Sequence, residues 1–274
     1  MNQKIVLAYS GGLDTSVSIK WLQEKFHAGV VTLTLNLGQR EDFREIEERA
    51  YSAGAVKHFQ MDVREEFVTG YVHPSIKANG MYQGRYPLAT ALGRPLIATK
   101  LVELAESEGA YAVAHGCTGK GNDQVRMDVT VRSLNPGIKV IAPVREWNMT
   151  RDMEIQYAKK HGIDIKPKKS VFSTDQNLWG RSIESGPLED PETEPPAAAF
   201  EWVSSVEDAP GALGARLREH LRDALGALVA RGSADDRRVR LRQRSRDALA
   251  DAARGAGHDR NLAGSVGHLF SWSQ

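Results

Sequence analysis

Cysteine is almost absent, since the 274-residue chain contains Cys117 alone. A single thiol excludes an intramolecular disulfide and a zinc ribbon, and it suits a reducing compartment. No cluster of side chains marks a resident metal site. Charge of one sign is lacking too: 36 Lys and Arg against 35 Asp and Glu leave a net charge near +1. Without a global field there is no argument for a nucleic-acid or membrane partner. The opening apolar run, Ile5 to Tyr9, is too short for a signal peptide or a membrane span. The expectation is a soluble, cytoplasmic protein. Two familiar nucleotide loops are also missing. Gly119-Lys120 is followed by Gly121 rather than by Ser or Thr, so there is no Walker loop, and no Gly-x-Gly-x-x-Gly follows the first apolar run.

What is present is alternation. Short apolar runs alternate with helical patterns through the first 165 residues, the signature of βαβ units and a parallel sheet. Strands are expected at 4–9, 29–37, 56–61, 110–115 and 139–142. Helices are expected at 15–25, at 41–52 with Gly54 as its stop, at 95–108, at 123–134, and from Thr150 as cap to Gly162. The stretch between 61 and 95 reads as irregular. The fold class is therefore α/β, a parallel sheet with flanking helices.

The first strand runs into Ser10-Gly11-Gly12-Leu13-Asp14-Thr15-Ser16, and a helix leaves it. Glycines there let backbone N–H groups approach an anion, hydroxyls surround the same point, and the helix start adds about +0.5 of an elementary charge. Asp14 has the wrong sign for a phosphate cradle unless Mg²⁺ sits between it and the anion or it shapes the loop. Read without any family, the string also fits a tight strand-to-helix turn with Ser10 and Thr15 as caps. After the fourth strand comes a second polar loop, His115-Gly116-Cys117-Thr118-Gly119-Lys120-Gly121-Asn122-Asp123-Gln124-Val125-Arg126. Arg126 suits a carboxylate in a two-pronged pair and Asp123 suits an ammonium group.

The first string resembles the PP-loop of the N-type ATP pyrophosphatases, whose adenine nucleotide alpha-hydrolase-like domains split ATP between the α and β phosphates. The second is similar to a segment of the argininosuccinate synthases, with Cys117 where alanine is usual. Tyr82 to Pro95 looks like that family's Tyr-rich segment, Ser173 to Ser182 like its paired-serine loop, and Leu188 to Pro196 like the stretch just after that loop. The resemblance spans residues 4 to about 210.

It implies an ATP-dependent ligase that joins citrulline to aspartate through citrullyl-AMP, with ATP as substrate, Mg²⁺ as its companion and a homotetramer as the assembly. Carried over, Ala8, Tyr9, Ser10, Gly11, Gly12, Leu13, Asp14, Thr15 and Ser16 hold ATP, with Leu35 and Gly116 also on the nucleotide. Tyr86, Ala91, Asn122, Arg126, Ser173 and Ser182 line the citrulline site, Ala91 standing where the family has serine. Thr118, Asn122 and Asp123 hold aspartate, and Asp14 and Asp123 are the candidate catalytic carboxylates. Another PP-loop adenylating enzyme, or an ATP-binding protein without full catalysis, is the alternative.

The chain divides by composition into a nucleotide-binding domain at 1–169, the start of a truncated second domain at 170–210, and a tail at 211–274. Residues 183–210 hold Pro187, Pro191, Pro195, Pro196 and Pro210, an extended connection. No lysine follows Lys169, and 211–260 carries 12 Arg and 11 Ala. That tail resembles nothing in the family and is expected to be helical or disordered, with Leu213, Leu217, Leu221, Leu225 and Leu228 at helical spacing.

Overall fold

The computed structural model describes residues 3–119, 121–147, 149–164 and 171–200. The expected boundaries at 169/170 and 210/211, the tail and its leucine-spaced helix lie outside them. The chain forms two compact units, Met1–Pro191 and Glu192–Gln274. Within the second, the described residues include one 3₁₀ turn, Ala197–Ala199.

In the first unit, β1 (Lys4–Ala8), α1 (Leu13–Phe26), β2 (Gly29–Asn36), α2 (Phe43–Ser52) and β3 (Lys57–Asp62) alternate as the apolar pattern predicts. The stretch after β3 is helical rather than irregular: α3 (Arg64–Phe67) passes through a π-helical segment, Val68–Val72, into α4 (His73–Lys77). Phe67 and Val72 are its buried residues, too few to announce a helical period in sequence. Next come α5 (Ala89–Ser107), β4 (Ala112–Ala114), α6 (Asp123–Leu134), β5 (Lys139–Ile141), α7 (Pro143–Glu146) and α8 (Arg151–Lys160). Two antiparallel strands, β6 (Ser173–Gln176) and β7 (Arg181–Glu184), and a 3₁₀ turn, Gly186–Glu189, follow.

Helix α5 starts six residues before the expected position. Pro95 sits inside it and cannot donate to the carbonyl four residues back, which normally marks a helix start. Two bonds hold the earlier turns in place. The Tyr86 phenol oxygen accepts from the Thr90 N–H at 3.1 Å, which satisfies one of the helix's orphan donors. The Ala89 carbonyl accepts from Asn177 Nδ2 at 2.7 Å.

The five-stranded sheet is parallel throughout, in the order β3-β2-β1-β4-β5. Side chains alternate between its faces. Ile5 and Leu7 of β1 pack with Val17, Ile19 and Leu22 of α1 and Ile46 of α2, while Val6 between them packs with Leu96 and Leu101 of α5 and Met127 of α6. Burial on both faces explains why the strands read as continuous apolar runs. The chain leaves β1 for β2 on one side and reaches β4 on the other. The order therefore reverses between β1 and β4, and in such sheets the crevice beyond the carboxyl ends of those strands is where ligands bind.

Candidate active site

The two loops singled out by sequence are the two that leave β1 and β4. In the first, Gly11 has φ +73°, a backbone that disfavours any residue with a Cβ. A Cβ there would also lie 3.1 Å from Ile46 Cγ1, and Arg49 Nη1 donates to the Gly11 carbonyl at 2.8 Å. Gly12 is the extended cap residue of α1 and, having no side chain, caps none of the first-turn N–H groups. Ser10 Oγ lies 3.2 Å from Thr15 Oγ1 and accepts from the Gly12 N–H at 3.4 Å, while Thr15 Oγ1 donates to the Gly12 carbonyl at 3.2 Å. Beneath the loop, the buried Tyr9 hydroxyl meets Ser16 Oγ at 2.9 Å. Ser10 and Gly12 are thus the exposed members, and Tyr9 and Ser16 brace them.

Asp14 faces α8. Arg151 Nη1 donates to Asp14 Oδ1 at 3.1 Å, and the buried Glu154 shares a hydrogen bond with the same carboxylate. Burial, and then the Asp14 charge, push the Glu154 carboxyl well above the usual carboxylate range. Nothing in the sequence flagged Glu154, because its partner lies 140 positions earlier in the chain.

The second loop meets the first at Gly116. A Cβ at Gly116 would sit 2.9 Å from Thr15 Cγ2, closer than atoms can approach without a shift, so glycine permits the contact. Thr118 and Asn122 are exposed, and Asn122 begins α6 with no side-chain cap bond. Asp123 is the centre of an ion network. It accepts from Arg126 Nη1 at 2.7 Å and from Arg94 Nε at 2.8 Å, and Arg94 Nη2 reaches both oxygens of Asp175 at 3.2 Å. Burial raises the Asp123 pKa, yet the two guanidinium groups outweigh it and hold the carboxyl below its ordinary value. Burial likewise works against the Arg94 charge, and Asp175 and Asp123 more than restore it.

The β6–β7 hairpin completes the surroundings. The Leu178 N–H donates to the Leu37 carbonyl at 2.8 Å, the Trp179 indole donates to the Pro87 carbonyl at 2.7 Å, and Asn177 holds Ala89. Pairing Asp175 with Ser182 and Ser173 with Glu184 puts Ser173, Asp175 and Ser182 on one face of the hairpin. Ser182 Oγ is 3.0 Å from Thr90 Oγ1, and Thr90 adjoins Ala91 and donates its N–H to the Tyr86 phenol oxygen. Tyr86, Ala91 and Ser182 are therefore gathered at the start of α5, with Asp123, Arg126 and Ser173 linked to them through Arg94 and Asp175. Leu35 is different, because its side chain is buried in the core and its carbonyl already accepts from Gln39 Nε2 at 2.7 Å. Sequence reasoning assigned no role to Arg94, Thr90, Asp175 and Asn177, which lie inside strings it quoted but become partners only through the fold.

A five-stranded parallel sheet with flanking helices and a glycine-containing loop at its topological switch point defines an α/β domain of the HUP type. A family profile described as Arginosuccinate synthase N-terminal HUP domain matches residues 4–164, and one described as Arginosuccinate synthase C-terminal domain matches 172–214. The chain belongs to the argininosuccinate synthase family. It is 58% identical over 207 residues to the argininosuccinate synthase of Pyrococcus furiosus, covering 76% of this chain and 50% of that protein. It is 59% identical over 207 residues to that of Pyrobaculum aerophilum, covering 76% and 52%, and 58% identical over 210 residues to that of Geobacillus thermodenitrificans, covering the same shares. The chain spans about half the length of the curated relatives it matches. Among the described residues, no helix is long and apolar enough to cross a membrane.

Proposed function

We propose that this chain ligates citrulline to aspartate with ATP, releasing AMP and pyrophosphate. The observation that carries the reading is the convergence of the two loops at Thr15 and Gly116, beyond the carboxyl ends of β1 and β4. One loop suits a triphosphate and the other a zwitterion, so an amino acid is held beside a phosphate chain. The family membership supports citrulline and aspartate as the substrates.

In this reading Ala8 to Ser16, with Leu35 and Gly116, hold ATP. Gly11 and Gly12 leave room for the phosphates, and the first-turn N–H groups of α1 stabilise charge on the departing pyrophosphate. Tyr86, Ala91, Asn122, Arg126, Ser173 and Ser182 hold citrulline so that its ureido oxygen faces the α-phosphorus. Attack forms the carbon–oxygen–phosphorus link and breaks the bond from the α-phosphorus to the bridging oxygen, which leaves with pyrophosphate. Thr118, Asn122 and Asp123 hold aspartate. Its ammonium first loses a proton to solvent, the amine adds to the ureido carbon, and the carbon–oxygen bond to AMP breaks as a second proton leaves the nitrogen. Asp123, held ionised by Arg94 and Arg126, suits an ammonium anchor better than a base. Positioning supplies most of the rate in such a scheme.

The donor set fits Mg²⁺ held mainly by phosphate oxygens and water. Among the described residues no group of three or more His, Cys, Asp and Glu side chains could hold an ion, and at the loop Asp14 offers a carboxylate that shares a hydrogen bond with Glu154. Bound there, Mg²⁺ would neutralise charge on the phosphates.

The test is isotope exchange. Citrulline-dependent exchange of labelled pyrophosphate into ATP is expected, followed by AMP formation when aspartate is added. ATP binding without exchange would favour a nucleotide-binding protein lacking part of the citrulline site, a reading that the half-length match supports. Exchange driven by some other carbonyl substrate would point to another PP-loop adenylating enzyme. Tetramer formation by this chain, the family's assembly, is checked by sedimentation.

A further inference from the structure

The loop from His115 to Asn122 leaves Thr118 and Gly119 exposed, and exposed loops wander unless something ties them down. Two chains of hydrogen bonds do so, and both end on one residue. In the first, the Cys117 N–H donates to His115 Nδ1 at 3.2 Å. The proton of this buried imidazole is therefore on Nε2, which donates to Asp128 Oδ1 at 2.8 Å. Arg145 Nη2 donates to Asp128 Oδ2 at 3.1 Å. In the second, Gln124 Nε2 donates to the Gly119 carbonyl at 2.7 Å, and Arg145 Nη1 donates to Gln124 Oε1 at 2.7 Å.

Arg145 is itself mounted on a fixed base. It lies in α7, whose next residue, Glu146, pairs with Lys25 of α1 at 2.7 Å. Trp147 follows and packs edge-on against Trp21 with ring centroids 6.0 Å apart. Neighbouring residues thus reach the helix that carries the phosphate loop on one side and the second loop on the other. The planar fork of a guanidinium can serve two acceptors at once, which a single ammonium cannot do in the same geometry.

We propose that Arg145 is a positioning residue that locks both ends of the Cys117–Gly119 loop, fixing Gly116 and Thr118 against the phosphate loop. What the lock serves rests on the ligase reading above, whereas the lock itself can be measured without turnover. Cys117 is the chain's one thiol, it lies inside the locked segment, and it packs against the apolar core.

The experiment follows the reaction of Cys117 with 5,5′-dithiobis(2-nitrobenzoate) in the full chain. The wild type is expected to react slowly. Arg145→Met should react about tenfold faster, the change expected when an interaction worth about 1.4 kcal/mol is lost, and Arg145→Lys should fall between. A native circular dichroism spectrum with a rate within about twofold of wild type in Arg145→Met overturns the lock. If Arg145→Met does not fold, Gln124→Ala and Asp128→Asn decide: each breaks one arm and should speed the thiol, and a wild-type rate in both overturns the proposal. If the chain turns over, Arg145→Met should raise KM for aspartate more than KM for ATP, a split that general loss of stability does not produce. Absence of turnover in the wild type counts against the ligase reading and leaves the thiol result standing.

Discussion

Arg94 joins two carboxylates from different parts of the chain, donating from Nε to Asp123 at 2.8 Å and from Nη2 to Asp175 at 3.2 Å. The first opens α6 and the second lies in the β6–β7 hairpin, so one guanidinium sets the distance between two walls of the site. Arg94→Met removes both pairs and leaves Asp123 with Arg126 alone. We expect a loss of about 2 kcal/mol in urea unfolding, together with a rise in the Asp123 pKa measured by NMR. Arg94→Lys should recover less than half of the stability, because an ammonium cannot face both partners. Unchanged stability and an unmoved Asp123 titration in Arg94→Met would remove this residue from the account.

Glycine at 116 is required by its neighbour rather than by its backbone. An added methyl meets the Thr15 methyl at 2.9 Å, while the Thr15 hydroxyl is engaged with Ser10 and Gly12. Gly116→Ala should therefore weaken ATP binding at least tenfold, and Thr15→Ser, which keeps the hydroxyl and drops the methyl, should restore most of it in the double variant. Calorimetric titration of the four proteins checks the cycle. Simple additivity of the two changes would show that the loops do not meet there.

Gly12 makes the complementary case. A Cβ at that position meets only Ser10 Oγ, at 3.4 Å, so a larger residue fits the free protein. Gly12→Val should keep the thermal midpoint within a few degrees while abolishing nucleotide binding and pyrophosphate release, since in the proposed reading its bulk stands where the phosphates approach. Near-normal binding would sink the assignment of this loop to phosphate.

Most of the sheet was legible in the sequence because buried parallel strands are apolar throughout and start and stop signals punctuate the helices. Asp123–Leu134 was read to the residue, and Thr150 was read as a cap; its hydroxyl accepts from the Met153 N–H. The segment between Met61 and Ala89 was not legible, since a π-helical turn breaks the 3.6-residue period and few of its residues are buried. Pro95 misled the start of α5 for a local reason, while the bonds that override it, from Asn177 and Tyr86, come from elsewhere. The site was legible where function concentrates in one string, as at Ser10–Ser16, and hidden where it depends on pairs such as Asp14 with Glu154 or Arg94 with Asp175. Those pairs are statements about topology, and no local pattern contains them.

The Glu154 carboxyl gives stability a pH dependence of definite sign. Its folded pKa is raised, to about 8 against the ordinary 4.5, so the folded state holds a proton that the unfolded chain releases. That contribution to stability is fully present below pH 4.5 and is lost as pH rises through about 8. Glu154→Gln keeps a neutral side chain at every pH, so it should flatten the decline of the urea midpoint between pH 5 and pH 9 and leave the variant more stable than wild type at the upper end. The same decline in both proteins would mean that Asp14 and Glu154 do not share a proton.

Asn177 shows how one buried amide fixes the hairpin. Its Nδ2 donates to the Ala89 carbonyl at 2.7 Å, and its Oδ1 accepts from the Trp179 and Gly180 N–H groups at 2.8 and 3.1 Å. The first bond ties the hairpin to the start of α5 and the other two shape its turn, so Asn177→Ala removes three bonds at once and strands the Trp179 and Gly180 N–H groups. The expected loss is about 2–3 kcal/mol. Asn177→Asp separates the two roles, since it keeps the acceptor for the turn but sets a carboxylate against the Ala89 carbonyl. It should preserve the turn and lose the docking. Hydrogen exchange reads the difference: the Trp179 and Gly180 amides should lose protection in Asn177→Ala and keep it in Asn177→Asp, while those of β1 and β2 should keep theirs in both. Because Ser173 and Ser182 ride on the hairpin and the phosphate loop does not, citrulline affinity should fall in Asn177→Asp with ATP affinity unchanged. Equal loss of both affinities would show that Asn177 supports the whole domain rather than the hairpin alone.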